Sequence, residues 1–359
     1  MIHFDKDRMA AVMAAHEAWW DGKLDRPLVK ICITDAYPAE KDPPVPLISQ
    51  ANCHDFSIPV DALLDTIELS LSRREFLGDA FPFFNFDCFG PGIVAAFCGA
   101  RLDNSSGRVW FFPQSGMEDA PISEVHAFYD PENAWARRIK EIYRAAVDRF
   151  DGTVIMGMPD LGGVMDIVAS LRGTENLLYD LIDEPEEVHR LVHEAELAWE
   201  AAYDDFSRVL APQKALTDWD GLLSASPSYV IQCDFCYMIS NPMFREFVLP
   251  TLKRNTERLA HTIYHLDGIG ALTHLDDILT LPKLNAVQWV YGDGRPKSKH
   301  WIDTVYRKIA AAGKGIHVVE EPQNLLDVCE ALGSGKGLYA SYNLKKQDAP
   351  LIEELLALR

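Results

Sequence analysis

The sequence has no long uninterrupted run of apolar residues. No segment reaches the roughly 18 consecutive apolar residues that a membrane-spanning helix needs. The first residues, Met1 to Arg8, are polar and lack the apolar centre of a secretory signal. We therefore expect neither a membrane span nor export, and we predict a cytoplasmic protein.

The sequence also has fewer basic than acidic residues. The 359 residues include 34 Lys and Arg against 54 Asp and Glu, which gives a formal charge of -20. Such a surface repels the nucleic-acid backbone and anionic lipid headgroups. We therefore exclude nucleic acids and membranes as main partners.

Several familiar motifs are missing. The seven cysteines are scattered and odd in number, which argues against a disulfide framework and for a reducing compartment. Cys233 and Cys236 form one Cys-x-x-Cys pair, and without a second pair this spacing favours buried thiols over structural zinc. Gly333 to Gly337 lacks the spacing of a phosphate-binding loop, and no serine nucleophile elbow is present.

What the sequence does contain is a regular alternation of apolar strands and helical segments. Strands followed by helices imply a parallel sheet, and eight such units imply a closed α/β barrel of the TIM (β/α)8 type. We predict a single barrel domain over residues 1–359, with extra N-terminal helices. The apolar spacing also predicts a helix over Val60–Leu77 and an inserted strand at Val109–Phe112. The eight strands begin at Leu28, Phe81, Thr153, Tyr229, His261, Ala286, Gly315 and Leu338.

Polar side chains follow these strands, and in a barrel the strand ends meet at one mouth, where catalysis takes place. Carboxylates crowded there repel each other unless a metal, a proton or a basic substrate balances them. We expect such a cation, while Asp35, Asp160 and Asp293 are better explained as helix caps. The carboxylates at the predicted strand ends are Asp35, Asp87, Asp160, Asp234, Asp267, Asp293, Glu320 and Glu321.

The most informative segment is the predicted strand His261–Asp267. Alternate residues of a strand point to one side, so Ile263, His265 and Asp267 share a face. The polar pair lies at the end of the strand where a barrel carries its active site. The alternative is a His and an Asp paired in a tight turn, and we favour the functional interpretation.

Further residues are candidates for binding a substrate. Asn85 and Gln232 lie at predicted strand ends, and the aromatic residues Trp289 and Tyr291 could form walls for a flat or methylated ligand. His274 begins the next helix and could reach the mouth. The aromatic residues fit an ordinary core equally well, and His274 fits a histidine bonded to local backbone.

Two long segments carry a resemblance to a known family. Leu171–Leu181 with Asp183–Val188, and Ile239–Pro250, resemble the uroporphyrinogen decarboxylase superfamily, and the likeness extends from about Asp61 to the C-terminus. This superfamily contains the decarboxylase and zinc-dependent methyltransferases that take methyl groups from corrinoid proteins. Phe89–Gly92 and Phe97–Ala100 look like the methyltransferase side.

The resemblance implies a zinc site, with differences. His265 matches the family's zinc-binding His, whereas Asp267 stands where the first Cys of its His-x-Cys motif is expected. No Cys occurs near Tyr339–Tyr342, where the late Cys ligand would fall. A harder site of His265, Asp267 and Glu320 is therefore expected, since carboxylates also bind zinc.

The resemblance implies a methyltransferase that works with methylcobalamin or another corrinoid carried by a partner protein, as a possible homodimer. Its catalytic residues would be His265, Asp267 and Asp87. A porphyrinogen substrate is disfavoured, because Ile33–Pro38 lacks the arginines that hold its carboxylates in the decarboxylase. The alternatives are a decarboxylase acting on another substrate, with Asp87 or Asp267 stabilising a protonated intermediate, and a non-catalytic barrel that binds a methylamine or a corrinoid.

Overall fold

The computed structural model describes residues 1–39 and 41–358. The strands of these residues are β1 Leu28–Ile33, β2 Glu75–Gly78, β3 Phe83–Phe84, β4 Arg101–Asp103, β5 Trp110–Phe112, β6 Ile155–Met156, β7 Ser228–Gln232, β8 His261–Asp267, β9 Ala286–Val290, β10 Gly315–His317 and β11 Leu338–Leu344.

Seven of these strands form one sheet in the order β2-β1-β11-β10-β9-β8-β7. Every neighbouring pair is parallel except β1 with β2, which is antiparallel. A second, two-stranded parallel ladder joins β3 to β6, and β4 pairs with β5 in an antiparallel hairpin. Within the described residues these ladders confirm an α/β fold with a mostly parallel sheet, and they do not show a closed ring of eight strands.

Helices follow most strands. The α-helices of the described residues are α1 Lys6–Trp20, α2 Val60–Ser72, α3 Val94–Phe97, α4 Ala134–Phe150, α5 Val164–Arg172, α6 Thr174–Asp183, α7 Pro185–Leu210, α8 Asn241–Met243, α9 Leu249–Arg258, α10 Gly268–Ala271, α11 Leu275–Leu279, α12 Arg307–Ala311, α13 Pro322–Leu332 and α14 Ala349–Ala357. None of them combines the length and the hydrophobicity needed to cross a bilayer.

The longest helix, α7, supports the part of the chain that leads to the site. Pro185 occupies its first turn, where its missing backbone N–H removes no hydrogen bond of the helix. Glu186 and Glu187 in the same turn interact favourably with the positive end of the helix dipole. Its apolar face buries Leu191 and Trp199 completely or nearly so. The Trp199 indole N–H also donates to the Gly162 carbonyl at 3.0 Å. This bond fixes the loop after β6 to the helix layer.

Two predicted elements differ from the structure. The helix predicted over Val60–Leu77 ends at Ser72, and Glu75–Gly78 turns back to pair with β1. The apolar spacing continues through Phe76 and Leu77 because Phe76 is buried and Leu77 is half-buried in the strand. The inserted strand predicted near Trp110 is confirmed as β5.

Candidate functional site

His265 and Asp267 lie on the last three residues of β8 and share a face of the strand, as the alternation predicts. The strand register aligns His265 with Gln232 of β7 and with Gln288 of β9, and Gln288 in turn with His317 of β10. Side chains in one row of a parallel sheet point to the same side. Four polar residues of neighbouring strands therefore line one surface.

A second acidic residue, Asp234, joins His265 and Asp267. Asp234 lies two residues after the end of β7, and one ligand atom from each of Asp234, His265 and Asp267 lies within 4.8 Å of the other two. Among the residues that the structure describes, this is the group of His, Cys, Asp and Glu side chains close enough to share a metal ion. The group contains two of the three predicted ligands and does not include Glu320.

Glu320 lies elsewhere because its strand is shorter than predicted. Strand β10 ends at His317, and Glu320 follows in a loop with a φ of 68°. Burial and a hydrogen bond to Glu320 raise the pKa of Tyr291 to about 12. Glu320 is thus directed toward Tyr291, and Asp234 replaces it beside His265 and Asp267.

The backbone around Asp234 is held by a half-buried carboxylate. Asp166 of α5 accepts hydrogen bonds from the backbone N–H of Asp234 at 3.1 Å and of Phe235 at 2.7 Å. These bonds satisfy the first donors of the short 3-10 helix Asp234–Met238. Burial, followed by the charge of Asp234, raises the pKa of Asp166 to about 7.

The ring of His265 is oriented by Gln288. Its Nδ1 lies 2.5 Å from Oε1 of Gln288, and Nε2 of Gln288 lies 2.7 Å from Nδ1 of His317. With the amide in this orientation, His265 Nδ1–H donates to an oxygen and its Nε2 lone pair remains free. Metal-binding histidines in proteins are held by this kind of second hydrogen bond. Burial lowers the pKa of His265, which favours the uncharged ring that a metal requires.

The cavity lined by Asp234 and His265 carries three aspartates against one arginine. We name it the Asp234 cavity; it has a volume of about 450 Å³ and is lined by Gln50, Asp87, Pro91, Arg108, Val109, Trp110, Asp160, Trp219, Gln232, Asp234 and His265. Asp234 is accessible to solvent, but it lies in the lining of the cavity and has protein on several sides. The resulting loss of hydration, with the charge of Asp267, raises its pKa to about 6.

Asp160 adds a second perturbed carboxyl group to this wall. Its Oδ1 accepts from the Gly162 backbone N–H at 2.9 Å and from Gln232 Nε2 at 3.3 Å. Burial raises its pKa to about 7, with smaller contributions from Asp234 and Asp87. The predicted helix-capping role does not describe it, because α5 begins at Val164 and is preceded by Gly163.

The remaining predicted residues divide into two groups. Asp87 and Gln232 line the Asp234 cavity, and Asn85 lines the neighbouring cavity described below. Trp289 and His274, by contrast, are fully buried in the core. His274 stacks on Phe244 with ring centroids 4.3 Å apart, and its Nε2 lies 2.9 Å from the Cys236 carbonyl oxygen.

Trp289 and Tyr291 make contacts typical of core residues. Trp289 packs edge-to-face on Trp301, and the Tyr291 hydroxyl accepts from Asn324 at 3.1 Å. Neither residue lines the Asp234 cavity or its neighbour. The thiols of Cys233 and Cys236 are buried as predicted, on either side of Asp234.

A second cavity adjoins the first. We name it the Arg74 cavity; it has a volume of about 350 Å³ and is lined by Lys30, Cys32, Ser70, Leu71, Arg74, Phe76, Ala80, Phe81, Phe83, Phe84, Asn85, Trp219, Asp220, Gln288, His317, Ser341 and Asn343. Trp219 lines both cavities and packs edge-to-face on His265. The two cavities therefore share Trp219, whose ring packs against His265.

Sequence reasoning missed Gln288, His317 and Arg74. A signal for the first two was present, since each is a polar residue inside an otherwise apolar strand. Lys30, which interrupts the apolar strand β1, follows the same rule and also faces the Arg74 cavity. A polar residue within a buried strand thus indicated the lining of the site better than the predicted strand ends did.

Comparison with known proteins identifies the fold. The structure is similar to a methyltransferase from Methanosarcina mazei, with a TM-score of 0.57 over 97% of this chain and 96% of that chain, at 11% sequence identity. Identity this low shows a common fold and leaves the reaction open. No protein-family model matches the sequence, and no curated protein matches it.

Proposed function

We propose that the chain is a methyltransferase whose site holds a divalent metal, zinc in the first instance, on Asp234, His265 and Asp267. The observation that carries the proposal is the convergence of three ligand atoms within 4.8 Å of one another. Two carboxylates that close repel each other, and a cation removes the repulsion.

The donor set fits such an ion. Catalytic zinc sites use three protein ligands from His, Asp, Glu or Cys and keep a further position for water or substrate. One imidazole and two carboxylates satisfy this pattern, and the Gln288 oxygen supplies the second bond that orients a liganding ring. The oxygen-rich set also admits harder divalent ions, so the identity of the metal is part of the test.

Each residue has a role that follows from its position. A bound metal would supply Lewis acidity toward the atom that gains or loses the methyl group. Asp160 can hold a proton near neutral pH on the carboxyl oxygen that Gly162 and Gln232 leave free. Asp87 on the same wall would interact with a substrate cation or proton.

The methyl group would move between a small methylated substrate or a thiol and a corrinoid held by a partner protein. The resemblance of the sequence to corrinoid-linked methyltransferases and the fold shared with a methyltransferase both support this assignment. The absence of thiolate ligands distinguishes this chain from the zinc sites of that family, so we infer a different methyl donor or acceptor.

We also infer that the sheet closes into a single (β/α)8 barrel. Residues 217 and 218 bridge β6 and β7. The Met158 backbone N–H, after β6, donates to the Thr217 carbonyl at 2.7 Å, and the Val230 backbone N–H of β7 donates to the Asp218 carboxylate at 2.8 Å. On the other side, Asp79 N–H donates to the Val29 carbonyl of β1. An experimental structure with a continuous ring of ladders is expected, and a solvent-filled gap beside β1 would contradict closure.

Metal content and methyl transfer test the function together. Purified protein grown with zinc is expected to hold about one equivalent of metal and to demethylate methylcobalamin with a thiol or amine acceptor, since the site has one set of three ligands. His265→Ala and Asp234→Asn should lose both properties. His193→Ala is the control, because its side chain is 69% exposed on α7, away from the site.

The outcomes separate the alternatives. Metal without methyl transfer to any acceptor would leave the ligand set standing and refute the reaction. Turnover that is unchanged after removal of the metal would refute the metal's role. Wild-type protein without metal after growth in zinc contradicts the proposal as a whole.

A further inference from the structure

The Arg74 cavity contains a guanidinium group that forms no ion pair with any carboxylate of the described residues. Arg74 lies between α2 and β2, where its Nη2 donates to Ser70 Oγ at 3.4 Å and its Nη1 contacts Cys32 Sγ at 4.0 Å. Both contacts are long for hydrogen bonds. Among the described residues no carboxylate forms an ion pair with this guanidinium, in a chain of net charge -20.

The other charges of the cavity balance each other. Lys30 Nζ donates to the Gly221 carbonyl oxygen and lies 4.4 Å from the centroid of the Phe83 ring. Asp220 is its strongest electrostatic partner and, among the described residues, the one carboxylate of the lining. Lys30 and Asp220 therefore offset one another, and the charge of Arg74 remains available to a ligand.

Three buried polar atoms of the cavity lining also lack a partner. They are the acceptor oxygens Asn85 Oδ1 and Asp220 Oδ2 and the donor Trp219 Nε1. His317 Nδ1 lies 2.9 Å from Asp220 Oδ2, without the angles of a hydrogen bond. Leaving buried polar groups unpaired is unfavourable. Only the Trp219 indole N–H is a donor from which a carboxylate could accept, and none of the three atoms is open to solvent, so the ligand is inferred from Arg74 and the aromatic lining.

Much of the cavity lining is apolar and aromatic. Phe76, Phe81, Phe83 and Phe84 all line the cavity, together with the Trp219 ring. A ligand that fills this space therefore needs an apolar body as well as a charged end. Lys30 and Arg74 line this cavity, whereas three aspartates line the Asp234 cavity. The two cavities therefore differ in the sign of their charge.

We propose that the Arg74 cavity binds a small organic carboxylate with an apolar body, whose carboxylate pairs with the Arg74 guanidinium. Bidentate pairing with a carboxylate is the geometry that guanidinium groups favour. Because Trp219 and Gln288 link this cavity to His265, such a molecule is the substrate class of the site. That last step rests on the proposed function, whereas the binding itself does not.

Calorimetric titration with benzoate tests the proposal, and benzamide serves as the uncharged probe of the same shape. Saturable binding of benzoate is expected in apo and zinc-loaded protein, at least tenfold tighter than benzamide. Arg74→Gln should weaken benzoate at least tenfold and leave benzamide unchanged. Arg73→Gln is the matched control, because this neighbouring arginine is exposed and does not line the cavity.

Three results would overturn the inference. One is the lack of saturable benzoate binding up to about 10 mM, where a charge-assisted pair in an apolar cavity should be detectable. The others are equal affinity for benzoate and benzamide, and an Arg73→Gln effect as large as that of Arg74→Gln. Loss of metal binding in the separate zinc assay, with benzoate binding intact, would refute the proposed function alone.

Discussion

Replacing Gln288 by Met is expected to weaken metal binding without touching a ligand. The substitution keeps the side-chain length and removes both the acceptor for His265 Nδ1 and the donor to His317 Nδ1. Loss of such an orienting bond lowers metal affinity by about 10- to 100-fold. This corresponds to about 1.4–2.7 kcal/mol of binding free energy.

The fold should tolerate the change. The substitution leaves one ring nitrogen of His265 and one of His317 without a partner, at about 1–3 kcal/mol each, so the free energy of unfolding should fall by about 2–6 kcal/mol. The melting temperature of the apo protein should fall by several degrees while the protein stays folded. Competition with a zinc chelator measures the affinity, and calorimetry measures the melting temperature.

A second variant separates orientation from packing. Gln288→Glu keeps an oxygen for His265 and removes the donor to His317, so it should retain more zinc affinity than Gln288→Met. Wild-type zinc affinity in Gln288→Met would refute the claim that this residue positions His265. Equal losses in the two variants would show that packing, and not the oxygen acceptor, is what matters.

The remaining predictions concern pH and packing. Burial raises the pKa of Asp160 in the folded protein to about 7. The folded state therefore binds this proton more tightly than the unfolded state does. The resulting stabilisation is complete below about pH 4, near the pKa of an unfolded Asp, and is lost as the pH rises through 7. Asp160→Asn should therefore raise the stability of the apo protein at pH 8 by at most about 4 kcal/mol and have little effect at pH 4, and equal effects at both pH values in thermal melts would contradict this. In α7, Leu191→Ala should cost about 2–5 kcal/mol in urea denaturation because its side chain is fully buried. Leu197→Ala on the same helix should cost less than about 0.5 kcal/mol because its side chain is half exposed, and similar losses for both would refute the packing of α7.

The sequence predicts the bounds of an element correctly where a residue that interrupts regular structure stands at its end. Strand His261–Asp267 has the bounds that the sequence predicts. It ends directly before Gly268, a residue that commonly interrupts regular structure. The shared face of His265 and Asp267 then follows from strand geometry alone.

The rest of the site depends on contacts between distant segments. The strand that begins at Gly315 ends at His317, before Glu320, because the apolar run continues into buried loop after the ladder ends. The polar residues that line the site lie earlier in the two apolar runs, at Gln288 and His317. Arg74 was hidden inside a predicted helix, because only pairing with β1 shows that the chain turns there.

Anomalous diffraction at the zinc edge tests the central claim most directly. Crystals of the zinc-loaded protein are expected to show one strong peak bonded to Asp234, His265 and Asp267, at the roughly 2.0–2.2 Å typical of nitrogen and oxygen ligands. The peak should disappear in crystals of His265→Ala that retain the fold. A peak bonded to other residues, or zinc-loaded crystals with no peak between these three side chains, would contradict the account.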